Sequence, residues 1–273
     1  MTRTSLSQVV KVVCMQDAFP PRRDAAAALV AWGNAWLGGH VGLDEAVDAV
    51  EAATVPQVVG GLPDDPQDLP LRRGLAVLRV AGMSTLRLAL PAPGDPLGLT
   101  GPPALNAAAV EAGEAVLVAL PDAPIALVPA EDRRGSSYVG VRWQAHEARA
   151  GVADVPSLAE ADHRLTLAMR EVTEALLTVD GTAGVPPEIA DALADLRDPE
   201  RGATLAPGYP PQAHRVAALA GRLARVVDLA RRVEGHGLTA AQMHRRDDAL
   251  RVLDRAVRRA RVAAHNSAFD PVP

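Results

Sequence analysis

Residues 86–120 read LRLALPAPGDPLGLTGPPALNAAAVEAGEAVLVAL. Five residues of strand character, 86–90, run into a loop at 91–103 that holds five prolines and three glycines. An alanine-rich helix follows at 104–112 and stops at Gly113; a second apolar strand occupies 115–120. Proline and glycine punctuate each change of period. Strand, loop, helix and strand in this order point to two neighbouring parallel strands joined by a helical crossover.

Upstream, residues 71–81 read as a helix closed by Gly82. Residues 23–38 and 44–53 read as two more, separated by the tight turn Gly39-His40-Val41-Gly42. Residues 54–70 carry four prolines and read as a loop with a short strand at Val58-Val59. Residues 1–21 lack a clear period and end in Phe19-Pro20-Pro21, with a short strand suggested at 9–15. Downstream, residues 125–128 and 138–143 read as strands, and Val139, Val141 and Trp143 share one face. Residues 133–137, Arg-Arg-Gly-Ser-Ser, read as the turn before the second.

From residue 156 the pattern is helical throughout. Ser157 and Glu160 form a capping-box sequence, and Thr239 and Gln242 form a second. Helices are expected from 157 to about 180, from 187 to 197, from 211 to 233 and from 240 to 265. The last two are joined by a short glycine turn at 235–237 and should be antiparallel neighbours. In the final helix Leu250, Leu253, Val257, Ala260 and Ala264 form an apolar stripe, opposite Arg251, Arg255, Arg258 and Arg259. The expected fold is α+β: a small mixed sheet of about four strands with helices in residues 1–150, then a C-terminal α-helical bundle in 151–273.

The composition excludes several classes. Cys14 is the single cysteine, so an internal disulfide and a cysteine metal site are both excluded. No apolar run approaches a membrane span or a signal core, which sets the expectation of a soluble, cytoplasmic protein. One lysine among 28 basic residues, with abundant alanine, reads as the codon bias of a GC-rich bacterial genome. Net charge is −5, unevenly spread: residues 212–273 carry +6 and residues 1–211 carry −11. The plain reading is attraction between the two parts within one fold; the sharper one is a basic face for an acidic partner.

The loop at 91–103 is the leading candidate ligand site. It follows the carboxyl end of a strand, where open α/β sheets bind ligands. Gly94, Gly98 and Gly101 permit close backbone approach to an anion, and Asp95 offers a carboxylate to a hydroxyl or a metal. The glycine spacing is neither a Walker loop nor a dinucleotide fingerprint, so a rigid structural loop is the alternative. Trp32 and Trp36, four apart, form an aromatic ridge that serves as a core anchor or as an interface. The seven histidines are scattered without metal-ligand spacing. The carboxylate pairs Asp64-Asp65 and Glu131-Asp132 read as acidic loops. No metal, cofactor or catalytic constellation is implied. The expected function is a non-enzymatic interaction or accessory protein, with a protein partner or self-association. The alternative is a binder of a small, anionic molecule, or an enzyme, with its site at the 91–103 loop. Arg251 and Arg255 lack stacking aromatics beside them, which argues against nucleic acid, and no membrane partner is expected.

Overall fold

A computed structural model describes residues 24–63, 65, 67–134, 138–151, 154–177, 205–232 and 239–269. The expected strand at 9–15, Cys14, the helix at 187–197 and the turn at 235–237 lie outside these residues.

The elements in chain order are α1 (Ala25–Leu37), α2 (Leu43–Ala53), β1 (Gln57–Gly60), β2 (Leu69–Pro70) and α3 (Leu71–Val80). There follow β3 (Thr85–Ala89), α4 (Pro103–Ala112), β4 (Ala115–Ala119), β5 (Ile125–Arg134) and β6 (Tyr138–Glu147). The rest is helical: α5 (Leu158–Leu177), α6 (Pro211–Arg232), α7 (Ala240–Asn266) and a terminal 3₁₀ turn, Ser267–Phe269. The fold is mixed α and β with a six-stranded sheet, ordered β2-β1-β6-β5-β4-β3. The expectation of about four strands falls short by two.

One topological expectation is overturned. β3 and β4 are neighbours but antiparallel, with Ala89 opposite Ala115 and Thr85 opposite Ala119. The parallel contact is β1 with β6. Residues 90–114 leave the sheet and return to the end they left, so α4 is an excursion and not a crossover. It lies on one sheet face, where Leu105 and Ala109 pack on Ala89, Ala115, Ala126 and Val128. Strands β5 and β6 are also longer than expected. Glu131 and Asp132 belong to β5, not to a loop, and Arg133 and Arg134 extend it by pairing with Val139 and Tyr138.

The other sheet face carries the main core. Leu86, Leu88, Val116, Val118, Leu127 and Trp143 meet side chains of α1, α2 and α3 there. Trp143 is fully buried, and its indole N–H donates to Gln57 Oε1 at 2.6 Å. A second core joins α5, α6 and α7 to Ala31 and Ala35 of α1. α1 therefore lies between two cores, which explains its alanines: a helix buried nearly all round needs small side chains to admit neighbours on both sides. Gly33 permits the closest approach, since a Cβ there would overlap the Leu86 side chain.

The edge strand β3 is closed by side chains. Asn34 of α1 accepts from Leu86 N–H at 2.9 Å and donates to Leu86 C=O at 2.8 Å. Asn266 of α7 accepts from Leu88 N–H at 2.7 Å and donates to Leu88 C=O at 3.1 Å. Each amide supplies one donor and one acceptor, as a residue of a seventh strand would. Replacing Asn34 with Leu strands two backbone groups next to the core. The expected loss is about 3 kcal/mol, read as a lowered urea midpoint; an unchanged midpoint would show that the edge is satisfied some other way.

The helix ends follow the local signals. Gly113 closes α4 in the left-handed region, at φ +78°. Thr239 and Gln242 make the full capping box of α7. At α5, Ser157 Oγ accepts from Glu160 N–H at 3.2 Å, while the Glu160 carboxylate pairs with Arg164. Among the described residues no helix is long and apolar enough to cross a membrane.

Candidate functional site

The 91–103 loop is built to present one carboxylate. Ala92 and Asp95 exchange two backbone hydrogen bonds of 2.9 Å across Pro93-Gly94, and Gly94 takes φ +76°. Leu97 is fully buried in the left-handed region, at φ +25°, a conformation that costs a leucine about 1–3 kcal/mol. Gly98, at φ +90°, disfavours a side chain: the backbone is left-handed, and a Cβ would stand a tight 3.3 Å from Leu88 O and from Ala89 Cβ. Gly101 is held against Leu105, with which its Cβ would collide.

Asp95 is 8% exposed and faces α7. Its Oδ2 lies 3.1 Å from Arg258 and 3.7 Å from Arg255, and its Oδ1 lies 3.1 Å from Arg259. Arg258 also donates to Leu90 C=O at 2.8 Å and meets Asp254 at 3.3 Å. The loop is thus a clasp that grips the last helix. The expected arginine face needs correction on this point: Arg258 and Arg259 are largely buried against the body, and Arg251 pairs with Asp248. Removing this buried carboxylate takes one charged partner from three guanidinium groups, of which Arg258 keeps Asp254 at 3.3 Å, Arg259 keeps Asp154 at 3.4 Å and Arg255 is exposed to solvent. Asp95→Ala is expected to lose about 2–3 kcal/mol of unfolding free energy, the range of charge-assisted hydrogen bonds. Wild-type resistance to urea in that variant would remove the clasp from the account.

A cleft opens beside this clasp. It has a volume of about 310 Å³. One wall is Pro91, Ala92 and Pro93 with the last turn of α4, residues 110–113; the other is α6 and α7. Four arginines line it, Arg225, Arg231, Arg258 and Arg261, with four acids, Asp24, Glu111, Asp228 and Asp254. Arg261 pairs with Asp24, and Asp254 pairs with Arg258 and, at 3.6 Å, with Arg231. Glu111 and Arg225 are exposed, and no ion pair joins either to another described residue. A second hollow, of about 330 Å³, lies by Arg87, Gly98, Ser157 and Asn266.

Of the four candidate loop residues, Gly98 borders the second hollow, while Gly94, Asp95 and Gly101 line neither cavity. Trp32 is half-buried and packs against both cores; Trp36 packs against the sheet core. Sequence reasoning missed Glu111 and Arg225, whose spacing is that of any solvated helix face. Among the described residues no group of three or more His, Cys, Asp or Glu is placed to hold a metal ion.

Buried polar groups surround the seat of α7. Glu114, 2% exposed, accepts from Ala26 N–H at 3.2 Å and so satisfies a free donor in the first turn of α1. Tyr209 OH donates to His265 C=O at 3.0 Å and receives a long bond from Asn34. Burial raises the Tyr209 hydroxyl above its ordinary range. Burial, aided by the charge of Arg261, lowers the His265 imidazole to about 4 against Asp24, which acts the other way. Folded His265 is therefore neutral at pH values where the unfolded residue, titrating near 6.5, takes up a proton. Its contribution is whole above pH 6.5 and is lost as pH falls toward 4. Between pH 7 and pH 5 the loss is about 2 kcal/mol. Urea titrations at both pH values should show it in the wild type and not in His265→Gln; equal losses in both proteins would assign the pH dependence elsewhere.

Comparison with known proteins places the chain. A family model described as "Rv1486c-like protein, N-terminal domain" matches residues 26–163, and one described as "Rv1486c-like protein, C-terminal domain" matches residues 159–262. The uncharacterized protein ML1804 of Mycobacterium leprae is 29% identical, over 89% of this chain and 96% of its own length. The uncharacterized protein Rv1486c of Mycobacterium tuberculosis is also 29% identical, over 88% and 95%. No solved structure matches the chain. With both halves matched in order, the chain belongs to the Rv1486c-like protein family.

Proposed function

We propose that this chain is an accessory protein that acts by binding a small polar molecule in the cleft between the 91–103 loop and the C-terminal helices. The observation that carries this reading is the cleft itself: about 310 Å³, walled by charged side chains from four separate parts of the chain. That volume is at the small end of ligand sites, roughly 300–1,000 Å³. It fits a metabolite and not a peptide. The reading moves the ligand away from Asp95, whose oxygens are engaged by arginines, and toward Pro91, Ala92 and Pro93 at the start of the same loop. The loop glycines serve the clasp, and the clasp holds the wall of the cleft in place.

Native mass spectrometry of gently purified protein, beside the denatured mass, tests this. A bound small mass is expected in the wild type and is expected to be lost in Arg225→Glu. A bare wild-type mass with a stable dimer or a protein complex would favour an interaction role and sink the small-molecule reading.

A further inference from the structure

Resting on that reading of the cleft, we infer that its ligand is a zwitterion: a molecule with an ammonium group at one end and a carboxylate at the other. The walls carry equal numbers of cations and anions, four of each. A dianion or a dication would therefore meet as much repulsion as attraction. Most of the wall charges already have partners. Asp24 holds Arg261, and Asp254 holds Arg258 and Arg231; Asp228 is engaged as well. What remains is one anion and one cation, on different walls: Glu111 at the end of α4 and Arg225 on α6.

The backbone reinforces this polarity at the Glu111 end. Val110, Glu111, Ala112 and Gly113 all line the cleft, and they are the carboxyl end of α4. Helix carbonyls left without intrahelical donors carry partial negative charge there. Gly113, in the left-handed conformation, has nothing within 4 Å of where a Cβ would be, so a ligand can approach this end closely. An ammonium group suits that wall, as donor to Glu111 and to the open carbonyls. A carboxylate suits the other wall, where Arg225 offers a planar pair of N–H donors.

Three probes of one chain length separate the possibilities: cadaverine with two positive ends, glutarate with two negative ends, and 5-aminovalerate with one of each. Isothermal titration calorimetry on the full chain is expected to show 5-aminovalerate binding at least about tenfold more tightly than either of the others, as loss of a charged partner predicts. Glu111→Gln and Arg225→Gln, both at exposed positions, should each weaken 5-aminovalerate by about tenfold. Glu111→Gln should also invert the order, making glutarate the better ligand. Glutarate or cadaverine binding the wild type as tightly as 5-aminovalerate would overturn the zwitterion and leave the cleft as a site. Silence from all three, while an Arg225-dependent bound mass persists in native spectra, would do the same. Silence from all three with no bound mass would overturn the cleft as well.

Discussion

An open strand edge is the constraint on which this arrangement turns. β3 ends the sheet, and its outward N–H and C=O groups would template pairing with another chain if left bare. Two asparagine amides close that edge, from helices more than 200 residues apart in sequence. Amide geometry is strict, so α1 and α7 must each stand at one height and one rotation against β3. Asn34 sits inside the last turn of α1, where asparagine has no intrinsic advantage over a good helix former, and its place there follows from the bonds to Leu86. Tyr209 reaches the same point, with contacts to Asn34 and to the carbonyl of His265. The segment leading into α6 is thereby indexed to the sheet edge as well.

Electrostatics complete what the amides begin. The surplus of negative charge in the body and of positive charge in the tail is partly resolved inside the molecule. Asp95 takes three arginines of α7, and Asp24, at the entrance of α1, takes Arg261. Arg258 continues the line of the edge, since it donates to Leu90 C=O just beyond β3. The last helix is thus fastened to the strand at Leu88 and to the residue after it at Leu90. A buried ion network of this kind adds less to stability than its contacts suggest, because desolvation opposes it; its better attested use is to select one register among several. Here the register is that of a long helix on a sheet edge, which apolar contacts with alanine and valine would leave free to slide.

Features that depend on neighbours in sequence were legible there. Gly113 ends a helix because it alone takes φ +78° without strain, and the capping box of α7 is read from two residues three apart. The apolar stripe of α7 is buried as its period requires. Strand direction was not legible, because an excursion and a crossover have the same order of elements. The ends of β5 were obscured by Glu131 to Arg134, whose charges resemble a loop until β6 pairs with them. The cleft was hidden most completely. Glu111 and Arg225 are more than 110 residues apart, each on an ordinary polar helix face, and topology alone brings them to one cavity.

The position of the cleft would give the proposed binding a mechanical consequence. Its walls come from the clasp loop and α4 on one side and from α6 and α7 on the other. A molecule held by both walls can bind only while α7 is seated on the sheet edge. Binding to the seated form alone stabilises it by RT ln(1 + [L]/Kd), so occupancy and docking of the last helix rise together. α1 strengthens that coupling, since Leu29 belongs to the sheet core while Ala31 and Ala35 belong to the helical core. A shift of the helical layer must disturb both faces of one buried helix. The sheet and the helices would therefore respond to a molecule held in the cleft as one unit, although the chain's composition changes character between them.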